Sequence, residues 1–130
     1  DTRSFNAIID AIRLPKESDE EKKFRLDSIE NASQYAAEVP FKVMQTSART
    51  IDIIKAMIEN GNKASITDAG VGALCCITAI EGAYMNIRVN TKDLSDTNFA
   101  KTLNQKAYTV LQESKGELQA LVEAVHQQIS

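Results

Sequence analysis

The sequence predicts an all-α fold, a multihelical antiparallel bundle with one long proline-kinked helix. Only two prolines and five glycines punctuate 130 residues, too few for many short strands joined by turns. Apolar residues recur at three- and four-residue steps over most of the length. The balance of 43% hydrophobic and 25% charged residues is that of a folded chain, and the length suits one core, so a single domain over 1–130 is expected.

Phe5, Ile8, Ile9 and Ile12 make one apolar face of a first helix that stops before Leu14-Pro15. Ser18-Asp19-Glu20-Glu21 reads as a capping box, with the serine oxygen serving the first-turn amides and Glu21 reaching back. The helix it opens carries a seam of Ile29, Ala32, Ala36, Val39, Val43, Ser47, Ile51, Ile54 and Ile58. Pro40 predicts a kink near Val39. Asn60-Gly61 predicts a stop in the left-handed conformation. A third helix is expected from Ser65–Asp68 to about Asn90, with Ala69, Ala73, Cys76, Ala79 or Ile80, and Ala83 on its buried face. After a polar connection, Phe99, Leu103, Ala107, Val110, Ser114, Leu118, Leu121 and Val125 give the last of four helices a continuous face.

A net charge of −3 without a basic stripe argues against a nucleic-acid partner. The apolar run from Val71 to Ile80 is short for a bilayer, so no membrane partner is expected. Cys75 and Cys76, neighbours that cannot readily bridge each other, read as buried thiols in a reducing compartment. Glu123 and His126 form a single Glu-x-x-His, where a di-iron site needs two copies; a surface histidine and no metal site are expected.

The chemically pointed segment runs from Asn62 to Ala73. Asn62, Ser65, Thr67 and Asp68 crowd a helix start with Gly70 and Gly72, an arrangement suited to an anion or a polar planar group. Simple capping by Thr67 or Asp68 is the plain alternative.

Gly61-Asn62, Ser65-Ile66-Thr67-Asp68-Ala69-Gly70-Val71-Gly72-Ala73, Gly82-Ala83 and Asn86-Ile87-Arg88-Val89-Asn90 closely resemble the formimidoyltetrahydrofolate cyclodeaminase and methenyltetrahydrofolate cyclohydrolase family. Phe5, Leu14-Pro15, Glu20-Glu21-Lys22, Arg25 and Val39-Pro40 follow the same pattern in the same order. Members of that family usually carry a further N-terminal stretch with a Gly-rich motif. By that resemblance the chain, which opens at Asp1, is a cyclodeaminase-like domain lacking its N-terminal segment. Ala64 and Thr67 stand where the family pattern suggests Asn and Ser.

The resemblance implies a cytoplasmic homodimeric enzyme of folate one-carbon metabolism, on the side of histidine degradation, with no cofactor beyond its tetrahydrofolate substrate. It would convert 5-formimidoyltetrahydrofolate to 5,10-methenyltetrahydrofolate and ammonia, or hydrolyse the methenyl bridge. Either reaction needs positioning and proton transfer. Asp68, if partly desolvated, is the candidate acid/base. Asn62, Ser65, Thr67 and Asn86, with the exposed backbone at Gly70 and Gly72, are candidates for the pterin and amide groups. Lys22, Arg25 and Arg88 are candidates for the glutamate carboxylates. The rival reading is a non-catalytic helical scaffold or interaction module with a degenerate pocket.

Overall fold

The computed structural model describes residues 2–130, all of them helix or short connection. Helix α1 spans Thr2–Ile12, α2 Asp19–Arg49, α3 Ile51–Asn60, α4 Ile66–Thr91 and α5 Thr97–Ile129, with a 3₁₀ turn at Lys63–Ser65 ahead of α4. The capping box forms as expected. Glu21 N donates to Ser18 Oγ at 3.1 Å, and Glu21 Oε2 accepts from Ser18 N at 3.2 Å.

Helix α4 is the centre. It packs against α2, α3 and α5, α5 also touches α2 and α3, and α1 folds back on α2. Cross-links between elements fix the directions. Cys76 Sγ reaches the Ser47 carbonyl at 3.2 Å and Asn90 Nδ2 the Ala36 carbonyl at 2.9 Å, so α2 and α4 are antiparallel. Asn104 Nδ2 meets Thr91 Oγ1 at 2.7 Å, and Lys115 pairs with Glu81, so α4 and α5 are antiparallel too.

The small-residue face read from the sequence is the buried face of α4, namely Ala69, Ala73, Cys76, Ile80 and Ala83, continued by Ile87. Ala73, Ala37 of α2 and Ala107 of α5 are fully buried, and their small side chains permit close helix approach. Met44, Ile80, Ile87 and Leu118 are the largest fully buried side chains. Helix α4 with its preceding turn reaches a mean hydropathy of 1.3 over 18 residues, long and apolar enough by length and composition to cross a membrane, which the short Val71–Ile80 run did not suggest. In this fold the helix serves as the core of the bundle.

Several expectations shift. Helix α2 continues through Pro40 as expected, but the long helical run expected to reach Asn60 is divided at Thr50. There the Ser47 carbonyl is held by Thr50 Oγ1 at 2.7 Å, Thr50 N at 3.0 Å and Cys76 Sγ, a tightened turn rather than an i→i−4 bond. Pro40 cannot donate to the Ala36 carbonyl, and Asn90 of α4 donates to it instead. The seam on α2 is rotated by one position. Ala36, Ala37, Pro40 and Met44 are buried while Val43 is 46% exposed, because the small side chains let α4 settle beside them. On α1 the expected face is largely open, with Phe5 and Ile12 exposed and Ser4 and Ala11 buried, since α1 packs on α2 alone. Gly61 ends α3 with extended backbone (φ −76°, ψ 177°), not left-handed; a Cβ there would overlap the Met57 carbonyl oxygen. Cys76 is buried as expected, but Cys75 is exposed because the next residue on a helix points about 100° away.

Candidate functional site

At the start of α4, capping is done by neither Thr67 nor Asp68. Asn62 Oδ1 accepts from Ala64 N at 3.0 Å and closes the 3₁₀ turn, and Ser65 precedes Ile66 without a side-chain cap bond. Asn62, Ser65, Thr67 and Asp68 are all exposed. Asp68 makes no side-chain hydrogen bond or ion pair among the described residues, so the expected desolvation is not provided within one chain; the helix end faces solvent. Gly70 is buried for a packing reason, since a Cβ there would lie 3.1 Å from Val125 Cγ1. Gly72 opens onto free space. The cleft beside this end, about 140 Å³, is apolar, with Val122, Val125 and Ile129 facing Gly70, Val71 and Leu74 and exposed His126 at its edge.

The basic candidates sit elsewhere. Arg25 Nε donates to the Ile12 carbonyl at 2.9 Å, tying the α1 end to α2, and Lys22 lies 3.9 Å from Asp19 in the same region. Arg88 stands over the Tyr84 ring at 5.9 Å. The ten candidates therefore do not converge in one chain. Asn86 lies eighteen residues beyond Asp68 on one continuous helix, about 27 Å along its axis.

What does converge is a different set. Val39, Pro40 and Val43 of α2 and Thr78, Ala79, Gly82, Ala83 and Asn86 of α4 line one groove of about 300 Å³. Three of the quoted motifs, Val39-Pro40, Gly82-Ala83 and Asn86, thus meet although some forty residues separate the first from the others. Asn90 and Pro40 explain the meeting, because the carbonyl that the proline leaves unpaired is the one that docks α4. A Cβ on Gly82 would meet nothing within 4 Å, so its backbone is open to the groove. The Thr78 hydroxyl is spent on the Leu74 carbonyl at 3.1 Å, whereas the Asn86 amide has no protein partner among the described residues. A free amide offers two donors and an acceptor above apolar walls, which suits the edge of a planar heterocycle. Thr78 was missed in the sequence, and Ala79, there an alternative to Ile80 for the buried face, is exposed on the groove; the helical period places both beside Gly82 and Asn86.

A larger groove of about 510 Å³ between α2 and α5, floored by Phe41, Phe99 and Leu103 and edged by Lys42 and Lys106, was also not anticipated, and none of the resemblance residues lines it. Among the described residues no three of His, Cys, Asp and Glu gather to hold an ion; Glu123 accepts from Gln127 at 3.5 Å.

The formiminotransferase-cyclodeaminase family model matches residues 1–109. The chain belongs to that family. Among curated relatives of this cyclodeaminase-family chain, a methenyltetrahydrofolate cyclohydrolase from Methylorubrum extorquens is 32% identical over the whole chain, which covers 62% of that protein. A formimidoyltransferase-cyclodeaminase from Mus musculus is 31% identical over 88% of the chain, which covers 21% of that protein. The crystal structure of formiminotetrahydrofolate cyclodeaminase from Thermotoga maritima shares the fold at a TM-score of 0.70 and 22% identity, over 97% of this chain and 57% of that one. The chain thus spans less than two thirds of the length of these relatives.

Proposed function

We propose that this cyclodeaminase-family chain acts on a reduced folate, either closing 5-formimidoyltetrahydrofolate to 5,10-methenyltetrahydrofolate with loss of ammonia or hydrolysing the methenyl bridge. The observation that carries the reading is the convergence of Val39-Pro40, Gly82-Ala83 and Asn86 on one groove in a member of this family. In the groove, Asn86 pairs with the amide edge of the pterin, and the bare backbone at Gly82 admits the ring. Asp68, unpaired in the first turn of α4, is the proton-transfer group, with Asn62, Ser65 and Thr67 as its polar neighbours. The protein works as a cytoplasmic homodimer in one-carbon metabolism, where the formimidoyl group comes from histidine breakdown.

Formation and loss of methenyltetrahydrofolate, followed by its absorbance, test the reading with the wild type and with Asn86→Ala and Asp68→Asn. Each substitution should lower kcat/KM at least about tenfold, equivalent to ~1.4 kcal/mol of transition-state stabilisation. Neither reaction above background in the folded wild type would favour the rival, a helical interaction module, which the axial separation of Asp68 from Asn86 within one chain supports.

A further inference from the structure

The groove of about 510 Å³ between α2 and α5 lies apart from the site described above. At about 100° per residue, Glu38, Phe41, Lys42 and Gln45 of α2 face about 150° away from Val39, Pro40 and Val43, so the two grooves open on opposite sides of α2. They share no residue. The volume is in the range that holds a small organic molecule.

Helix packing gives this groove a direction. Helices α2 and α5 are both antiparallel to α4 and so run parallel to each other, and Glu30 sets their register by accepting from Ser95 N at 2.9 Å and Asp96 N at 3.0 Å. Counted from that tie at 1.5 Å per residue, Phe99 stands about 5 Å along, Leu103 about 10 Å and Phe41 about 16 Å. Leu103 is buried and the two phenyl rings are half-buried against the core, which makes an apolar floor about 12 Å long. Lys42 lies twelve residues beyond Glu30 and Lys106 ten beyond Asp96, so both lysines arrive about 15–18 Å along, on opposite walls at the Phe41 end.

Neither lysine has a hydrogen bond or ion pair among the described residues, although Glu38 sits one turn before Lys42. At the other end Asp96 Oδ1 accepts from Phe99 N at 2.9 Å and closes the start of α5. The floor therefore runs from an acidic end to a basic one.

We propose that the α2–α5 groove binds an elongated aromatic monocarboxylate, its rings over Phe99, Leu103 and Phe41 and its carboxylate between Lys42 and Lys106. Two unpaired cations brought to one level repel each other, and an anion set between them reverses that. Half-buried phenyl rings offer faces and edges to an aromatic body. The acidic end turns a second carboxylate away, so the class is a monoacid with its charge at one end. A small polar anion would leave the apolar floor uncovered, and an uncharged hydrocarbon would leave the lysines unanswered. The site does not rest on the folate reading.

Biphenyl-4-carboxylate, two rings in line with one terminal carboxylate, is the probe, and biphenyl-4-carboxamide is its uncharged counterpart. Isothermal titration calorimetry on the full wild-type chain should show one saturable site for the carboxylate with Kd of about 1 mM or tighter. The carboxamide should bind about fivefold more weakly. Lys42→Gln combined with Lys106→Gln, both at exposed positions, should leave the circular dichroism spectrum unchanged, weaken the carboxylate about fivefold and remove its advantage over the amide. Added salt should weaken the carboxylate and spare the amide. Asn86→Ala, in the other groove, should leave carboxylate affinity unchanged whether or not the chain turns over a folate. A carboxylate that fails to saturate, binds no better than its amide, or binds the folded double-lysine variant as well as wild type overturns the site. Binding lost in Asn86→Ala but kept in the double-lysine variant assigns the acid to the α2–α4 groove and overturns it as well.

Discussion

Both ends of α4 carry polar residues, yet the structure treats them differently. At the start, Asn62 is used on a 3₁₀ turn, and Asp68 and Thr67 stand in solvent. Toward the far end, Asn90 holds the carbonyl orphaned by Pro40, Thr91 Oγ1 accepts from Asn104, and Glu30 clamps the first amides ahead of α5. Those ties hold α2 against α4 and shape the groove that Asn86 faces. A run of polar residues marks a site only where neighbouring helices close around it, and here that happens at the end less conspicuous in composition.

The largest effect should come from removing packing under the groove end. Ile87→Ala should cost about 2–5 kcal/mol in denaturant unfolding, against less than ~0.5 kcal/mol for Val71→Ala on the exposed face, compared at concentrations low enough to keep the chain monomeric. Similar losses for the two would erase the contrast. Asn90→Ala should cost about 1–3 kcal/mol by stranding the Ala36 carbonyl. The cost should shrink in a Pro40→Ala chain, whose restored N–H serves that carbonyl within α2, so a double-mutant cycle should show coupling.

At the other end the glycines separate by role. Gly72→Ala should raise stability by up to ~1 kcal/mol, since its Cβ meets nothing. Gly70→Ala should give no such gain, because its Cβ crowds Val125.

The smallest effect is a pH dependence. Burial pushes the Glu30 carboxyl up, but hydrogen bonds from Asp96 N and Ser95 N at 3.0 and 2.9 Å, with Gln34 at 3.2 Å, outweigh it and hold the group below its ordinary 4.5. A depressed folded value means that the stabilising contribution is whole above pH 4.5 and fades as pH falls through the lower folded value. Thermal melts of Glu30→Gln should therefore lie below wild type at pH 7 and approach it near pH 3.

Much of the fold was legible because helices are local. The Ser18 to Glu21 cap, the start of α4 and the faces of α4 and α5 follow from residues within a turn or two of one another. Local rules placed Pro40 inside a continuing helix but gave no sign of the break at Thr50, since Thr50 acts through Ser47 and Cys76, the last twenty-six residues away. The site was legible as a resemblance and in its single residues, but not as an arrangement. Sequence by itself determined that this chain is a helical bundle of the formiminotransferase-cyclodeaminase family, because periodicity and motif order are written along one dimension. Tertiary structure alone decided that Asn86 lies with Val39 and Pro40 while Asp68 lies five turns away, because helix packing fixes distances that spacing along the chain does not encode.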